Sequence, residues 1–176
     1  HLPLRYEDET VLAGPQQARA GTPVQVQARV LRADVVYRPR RQLVVHAEGV
    51  ALRFFNFWGS QLKQFQRAAE AGRLVRAFGE VRPGFFGAEM AHPRYQFVDA
   101  DTPLPTSLTP IYPTTSGVSQ KEIRAAVLRA LDEGPLGDTL PAAVRKQYEL
   151  DGFAESVEVL HRPRPGSDVG ALADHT

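Results

Sequence analysis

The 176-residue sequence contains no cysteine, which excludes a disulfide framework, a thiolate metal site and a thiol nucleophile. It also lacks any apolar run near the roughly 18–20 residues of a membrane span, and its first residues have no signal-peptide pattern. These absences predict a cytoplasmic protein with no membrane partner. Catalytic signatures are missing as well. There is no H-E-x-x-H, no G-x-S-x-G, no G-x-G-x-x-G after a strand and no G-x-x-x-x-G-K-[ST] phosphate loop. His1, His46, His92, His161 and His175 are scattered without metal-ligand spacing, and the run Glu7-Asp8-Glu9 cannot converge on one cation from an extended chain. The sequence therefore offers no catalytic residue, no metal site and no cofactor site of its own. It opens at His1-Leu2-Pro3 without a methionine and reads as a piece of a longer chain.

What is present is unevenly distributed. Residues 24 to 100 hold twelve Lys or Arg against six Asp or Glu, while residues 101 to 176 hold seven against eleven. The basic excess thus belongs to one segment, and arginine dominates it, as expected of a phosphate-facing surface. Within that segment Val24, Val26, Ala28 and Val30 alternate with polar residues, the period of a half-buried strand over about 24 to 33. "LVVHAEGVALRFFNF" reads as two strands meeting near Glu48-Gly49. "SQLKQFQRAAEAG" reads as a helix with Ser60 as N-cap and Gly72 at its end. "RLVRAFGEV" at 73 to 81 and "AEMAHPRYQFV" at 88 to 98 read as two more strands, the last disturbed by Pro93. Five short strands with a helix between the third and fourth predict a mainly β chain built on an OB-fold barrel, a fold whose open face commonly binds oligonucleotides.

Five segments are expected: an extended or helical lead-in over 1–23, the OB-fold over 24–100, a proline-rich strap over 101–118, helices over 119–161 and a linker over 162–176. Pro103, Pro105, Pro110 and Pro113 argue against a sheet or helix interior, so the strap should run extended across the surface. Ser119 with Glu122 three residues on forms a capping-box pattern for a helix ending near Gly134; Ile123, Val127 and Leu131 give it one apolar stripe. Further helices are expected around 141–149 and 153–161.

The aromatic run "LRFFNFWGSQ" at 52–61 carries the candidate site. In a strand, Val50, Leu52 and Phe54 share the core side, and Arg53, Phe55 and Phe57 share the other. A row of arginine and phenylalanine on an open sheet face can hold a phosphate and stack a base. The candidate base-stacking residues are Phe55, Phe57 and Trp58, and the candidate phosphate contacts are Arg38, Arg40, Arg41, Arg53 and Arg82. Two loops, "YRPRRQ" with Tyr37 and "RPGFFG" with Phe85 and Phe86, should flank the face. The rival reading is a protein-interaction module that docks a peptide or a motor domain on the same surface, since aromatics and arginine are enriched at protein interfaces too.

Six phrases in register, "LPLRYED", "LRFFNF", "GEVR", "GAEMAHPRY", "LTPIYPTTSGVSQ" and "LHRP", resemble the wedge region of the RecG branched-DNA helicases over nearly the whole chain. The resemblance implies a monomeric bacterial motor of DNA repair and recombination, cytoplasmic and nucleoid-associated, that uses ATP and Mg to unwind replication forks and Holliday junctions. In that family the wedge splits the parental duplex and stacks an aromatic on the exposed base pair. Phe55 matches that aromatic; a second one, carried by some members, would fall on Gly59, leaving Phe57 or Trp58 to replace it. The chain has neither a phosphate loop nor an acidic helicase box, so it is expected to bind branched DNA beside motor domains in cis, without hydrolysing ATP itself.

Overall fold

The computed structural model describes residues 2–18, 21–85, 87–114, 117–134 and 136–167. Its elements are β1 (Arg5–Glu7), β2 (Pro23–Val36), β3 (Gln42–Ala47), β4 (Val50–Phe54), α1 (Gly59–Glu70), β5 (Leu74–Gly84), β6 (Gly87–Ala91), β7 (Arg94–Val98), β8 (Thr109–Ile111), α2 (Gln120–Asp132), α3 (Ala142–Gln147) and α4 (Phe153–His161). They divide into two compact units: Val11–Leu104, and the described parts of His1–Thr10 and Pro105–Thr176.

The Val11–Leu104 unit is a six-stranded sheet in the order β2-β3-β4-β6-β5-β7, with β5 also pairing with β2. Strand β2 makes this possible because it is long and bent. Its first half pairs antiparallel with β5, from Pro23 opposite Glu80 to Arg29 opposite Leu74. The register shifts between Val30 and Arg32, and the second half pairs with β3 as far as Val36 opposite Gln42. An irregularity of this kind turns a strand and increases its twist, so one strand serves two neighbours. Gly49, at a φ of 77°, supplies the left-handed position in the two-residue turn between β3 and β4.

The alternation predicted for β2 is realised from Val26 through Ala28 to Val30, all buried, but fails at its start, where Gln25 is buried and Val24 only half-buried. Val26, Ala28 and Val30 join Leu43, Val45, Leu52, Phe54, Phe65, Val75 and Met90 in one core. Each large apolar side chain buried there contributes roughly 1.5–3 kcal/mol. Helix α1 closes this core through Phe65, whose ring lies 5.7 Å from Phe54 and 4.7 Å from Tyr95. Gly72, at a φ of 58°, ends the helix in a Schellman arrangement: its N–H donates to the Ala69 carbonyl, and Arg73 N–H donates to the Ala68 carbonyl.

Two local expectations are corrected. The N-cap of α1 is Trp58, whose carbonyl accepts from Gln61 and Leu62, so Ser60 already lies inside the helix. The single strand expected over 88–98 is two strands, because Pro93 has no N–H for a ladder and His92 turns the chain at a φ of 49°. Strand β6 then pairs with β4 and β5, and β7 pairs with β5 alone. Residues 102–103 are fastened by the buried Arg76, whose guanidinium donates to the carbonyls of Thr102 and Pro103 and to Gln27 Oε1.

In the other unit β1 pairs antiparallel with β8, with Tyr6 opposite Pro110. The middle of the proline-rich segment is therefore not a surface strap: Leu108, Thr109, Ile111 and Tyr112 are buried. A three-residue strand with a single partner tolerates Pro110, since the missing N–H falls on its unpaired side. Helix α2 has the predicted capping box, with Ser119 Oγ accepting from Glu122 N–H and the Glu122 carboxylate accepting from Ser119 N–H. The Ser119 hydroxyl also donates to that carboxylate, and this bond, with the one from the Ser119 N–H, holds the Glu122 carboxyl below its ordinary range.

Candidate nucleic-acid interface

Strand β4 delivers the aromatic run to the sheet edge. Val50, Leu52 and Phe54 point into the core as the alternation requires, and after Phe54 the chain leaves the ladder. Phe55 is half-buried, neither sealed in the core nor bare. The Arg40 guanidinium lies over its ring at 3.7 Å, and the imidazole of His92 packs against it at 5.2 Å. The Arg41 guanidinium covers Phe57 in the same way at 4.2 Å. Because Leu43 is opposite Phe54, the end of the 37–41 loop and the end of β4 are neighbours, and these two cation–π pairs follow from that register.

The predicted residues do not all converge here. Phe57 is only 8% exposed and belongs to the core cluster, so its ring is a wall of the site rather than an open stacking face. Trp58 is 80% exposed and can take the role that Phe57 cannot. Arg53 is also corrected as a phosphate contact: its Nε and Nη2 each donate to the Glu89 carboxylate at 2.6 Å, and Nη1 donates to Gln42 Oε1. The hydrogen-bonded Glu89 raises the Arg53 pKa, and its carboxylate compensates the guanidinium charge and occupies donors that a phosphate would need. Arg82 is exposed but donates to Glu80 at 2.8 Å, which holds that carboxyl below its ordinary range.

The second loop lies elsewhere. Strands β4 and β6 are parallel, with Val50 opposite Ala88 and Arg53 opposite Ala91, so the hairpin tip next to Gly87 is at the start of β4. At about 3.3 Å per residue, that is roughly 15 Å from Phe55. Phe85 is 89% exposed there, and Phe86 is outside the described residues. Gly84 in this hairpin is required by close approach, since a Cβ would meet the Glu89 side chain at 1.9 Å and push it off Arg53. What remains at Phe55 is Arg40, with Arg41 over the neighbouring Phe57 ring and Tyr37 and Arg38 earlier in the same loop; all four are exposed, and no carboxylate is in ion-pair range of the three arginines among the described residues.

A family model described as the RecG wedge domain matches residues 1–133. The chain belongs to the RecG wedge domain family. It is 38% identical over 175 residues to the ATP-dependent DNA helicase RecG of Escherichia coli K12, covering 94% of this chain and 24% of that protein. It is 34% identical to the RecG of Pasteurella multocida, covering all of this chain and 26% of that one. The chain thus spans about a quarter of the length of the curated relatives it matches. The structure of RecG bound to a three-way DNA junction contains the same fold at a TM-score of 0.66 and 21% identity, covering 93% of this chain and 23% of that one.

In this wedge domain two contacts around Arg53 and Phe55 were not legible in the sequence. His92 holds the end of β4: its backbone N–H donates to the Arg53 carbonyl at 2.8 Å, and its Nε2 accepts Phe55 N–H at 3.2 Å. The proline that follows it was the available signal, since a break there brings position 92 back against β4. Glu89 carried no signal at all, because its partner Arg53 is 36 residues away in sequence. Among the described residues no cluster could hold a metal ion, and no helix is long and apolar enough to cross a membrane.

Proposed function

We propose that this wedge domain recognises branched DNA, with the Phe55–Arg40 pair as the platform on which the base pair at the branch is capped. The observation that carries this reading is the guanidinium lying 3.7 Å over the Phe55 ring in a cluster of exposed arginines that no carboxylate neutralises among the described residues. Both groups are planar. A base can stack on the outer face of Arg40 or take its place on the ring, and stacking of this kind contributes roughly 1–3 kcal/mol per base. Arg38 and Arg41 then face the phosphates, and Trp58 offers a second flat surface.

The finer architecture fits the same reading. The pairings β2–β3, β3–β4, β4–β6, β6–β5 and β5–β2 form a cycle, which supports a closed OB-type barrel with β7 added at one side. Its relatives are named ATP-dependent DNA helicases, which supports a place for this wedge beside ATP-dependent motor domains in cis; the whole protein in this reading is a monomeric cytoplasmic helicase of repair and recombination. ATP and Mg are bound by the motor, and the 24–100 barrel separates the strands.

The test is titration of the chain against a synthetic three-way fork and a blunt duplex at low and moderate salt. Fork affinity should fall steeply with salt, because phosphate contacts release counterions. Phe55→Ala should reduce the preference for fork over duplex by about 1–3 kcal/mol, and Arg40→Ala should reduce both preference and affinity. Equal affinity for fork and duplex, or affinity flat in salt, would defeat the proposal in favour of a protein-docking surface.

A further inference from the structure

We infer that His92 is the positioning residue that presents Phe55 to the junction. The inference rests on Phe55 being the stacking ring and adds what fixes that ring in place. Strand β4 ends at Phe54, where the antiparallel register with β3 begins at Leu43 and the parallel register with β6 has reached Ala91. The amide of Phe55 therefore leaves the ladder just where the ring must be held, and an unanchored amide there would let the residue swing.

His92 occupies that corner twice over. Its backbone N–H donates to the Arg53 carbonyl at 2.8 Å, and its Nε2 accepts Phe55 N–H at 3.2 Å. Its ring meets Phe54 edge-on at 6.1 Å and lies tilted against Phe55 at 5.2 Å. The ring contact and the bond to the amide act on the same residue, so the imidazole restricts both the backbone and the side chain of Phe55.

The backbone at His92 is unfavourable for a residue with a Cβ. Its φ is 49°, and Pro93 next to it restricts the conformations left open. Glycine would adopt that φ more readily, so the turn alone does not call for histidine. What calls for it is an acceptor and a flat ring delivered to position 55. A strained residue whose side chain fixes a ligand-facing ring is a common form of preorganisation.

The deciding experiment compares fork and blunt-duplex affinities of the wild type, Phe55→Ala, His92→Gly and His92→Gln, with melting temperatures alongside. Glycine removes the imidazole while relieving the backbone, which offsets part of the lost ring contacts and the lost Phe55 N–H bond, so the variant should stay folded with only a modest fall in melting temperature. Glutamine can bring a carbonyl oxygen to where Nε2 now accepts. His92→Gly should lower the fork-to-duplex preference by about fivefold or more while leaving duplex affinity in place, and His92→Gln should recover part of it. If Phe55→Ala loses fork preference while a folded His92→Gly keeps it, the positioning role is wrong. That role is equally wrong if His92→Gly weakens fork and duplex alike, or if glutamine recovers nothing. If Phe55→Ala itself keeps the preference, the reading of Phe55 as the stacking ring fails instead.

Discussion

The two units hold their chains in different ways. In Val11–Leu104 six strands and one helix bury a continuous apolar cluster, with Leu43, Val45, Leu52, Phe65 and Met90 wholly inaccessible. In the unit formed from the two ends, α2 and α3 bury no residue, and Leu136, Leu140, Tyr148, Leu150 and Phe153 are exposed. Order there comes from a small buried patch of Leu108, Ile111, Tyr112 and Pro163, a three-residue strand pair and a few long-range polar bonds, such as Tyr6 Oη donating to the Leu160 carbonyl and the 2.7 Å contact between Tyr112 Oη and His161 Nδ1. One unit is packed throughout, while the other is packed only around β8 and leaves its helices α2 and α3 to local and polar contacts, so they should respond to different perturbations.

The sharpest contrast comes from large-to-small changes. Phe65→Ala removes the ring that Phe54, Tyr95 and Phe97 pack around, at a position with no solvent access. It should cost about 3–5 kcal/mol, read as a lower midpoint in urea. Leu131→Ala, on the half-buried stripe of α2, should cost less than about 1 kcal/mol. Equal costs would erase the distinction between the units.

A polar change inside the sheet comes next. Glu89→Gln leaves the half-buried Arg53 guanidinium without its counter-charge while keeping a side chain of the same shape. The expected loss is about 1–3 kcal/mol by chemical denaturation, below that for a fully buried pair because both groups retain some contact with water. Gly84→Ala should reproduce part of this by displacing the Glu89 carboxylate.

How far the sequence was readable follows the same division. Strand β2, the Glu48-Gly49 turn, α1 and its glycine stop, and the Ser119 capping box were visible because each is encoded within a few neighbouring residues. The inward set Val50, Leu52 and Phe54 followed from alternation alone. Phe57 did not, since the chain leaves the strand after Phe54 and alternation stops applying. Arg53 looked available because nothing near it in sequence is acidic, and Glu89 reaches it only through the parallel pairing of β4 with β6. The buried strand β8 was hidden by Pro110 and the prolines flanking it, and by a partner some 100 residues upstream, which no local pattern encodes.

Acidification should separate the units at the level of single groups. Burial pushes the pKa of His161 down, and burial raises that of its neighbour Tyr112 to about 12. The neutral imidazole is thus the form that the fold prefers, sharing a hydrogen bond of 2.7 Å at Nδ1 with the tyrosine hydroxyl. A histidine depressed in the fold adds stability that is complete above its unfolded pKa of about 6.5 and is lost as pH falls through the lower folded value. Thermal melts from pH 7.5 downward should therefore show a loss that His161→Gln removes. His46 in the sheet unit is depressed too, first by burial and then by Arg32, so the wild-type slope contains both groups and only the difference between wild type and variant reports on His161.

The smallest effect is expected at Ser119, and its size tests whether α2 is stabilised locally. Ser119→Ala removes the hydroxyl that accepts from Glu122 N–H and donates to the Glu122 carboxylate at 2.6 Å. In a helix held by a large buried face, losing one cap would be masked by packing. Helix α2 has no buried residue, so the cap carries a larger share of what keeps its first turn formed. The cost should be about 0.5–1 kcal/mol, seen as faster amide exchange over residues 120–124 with no change in the sheet unit. Exchange that quickens equally in both units would mean that the chain unfolds as one body, and the contrast between a packed unit and a pinned one would have to be given up.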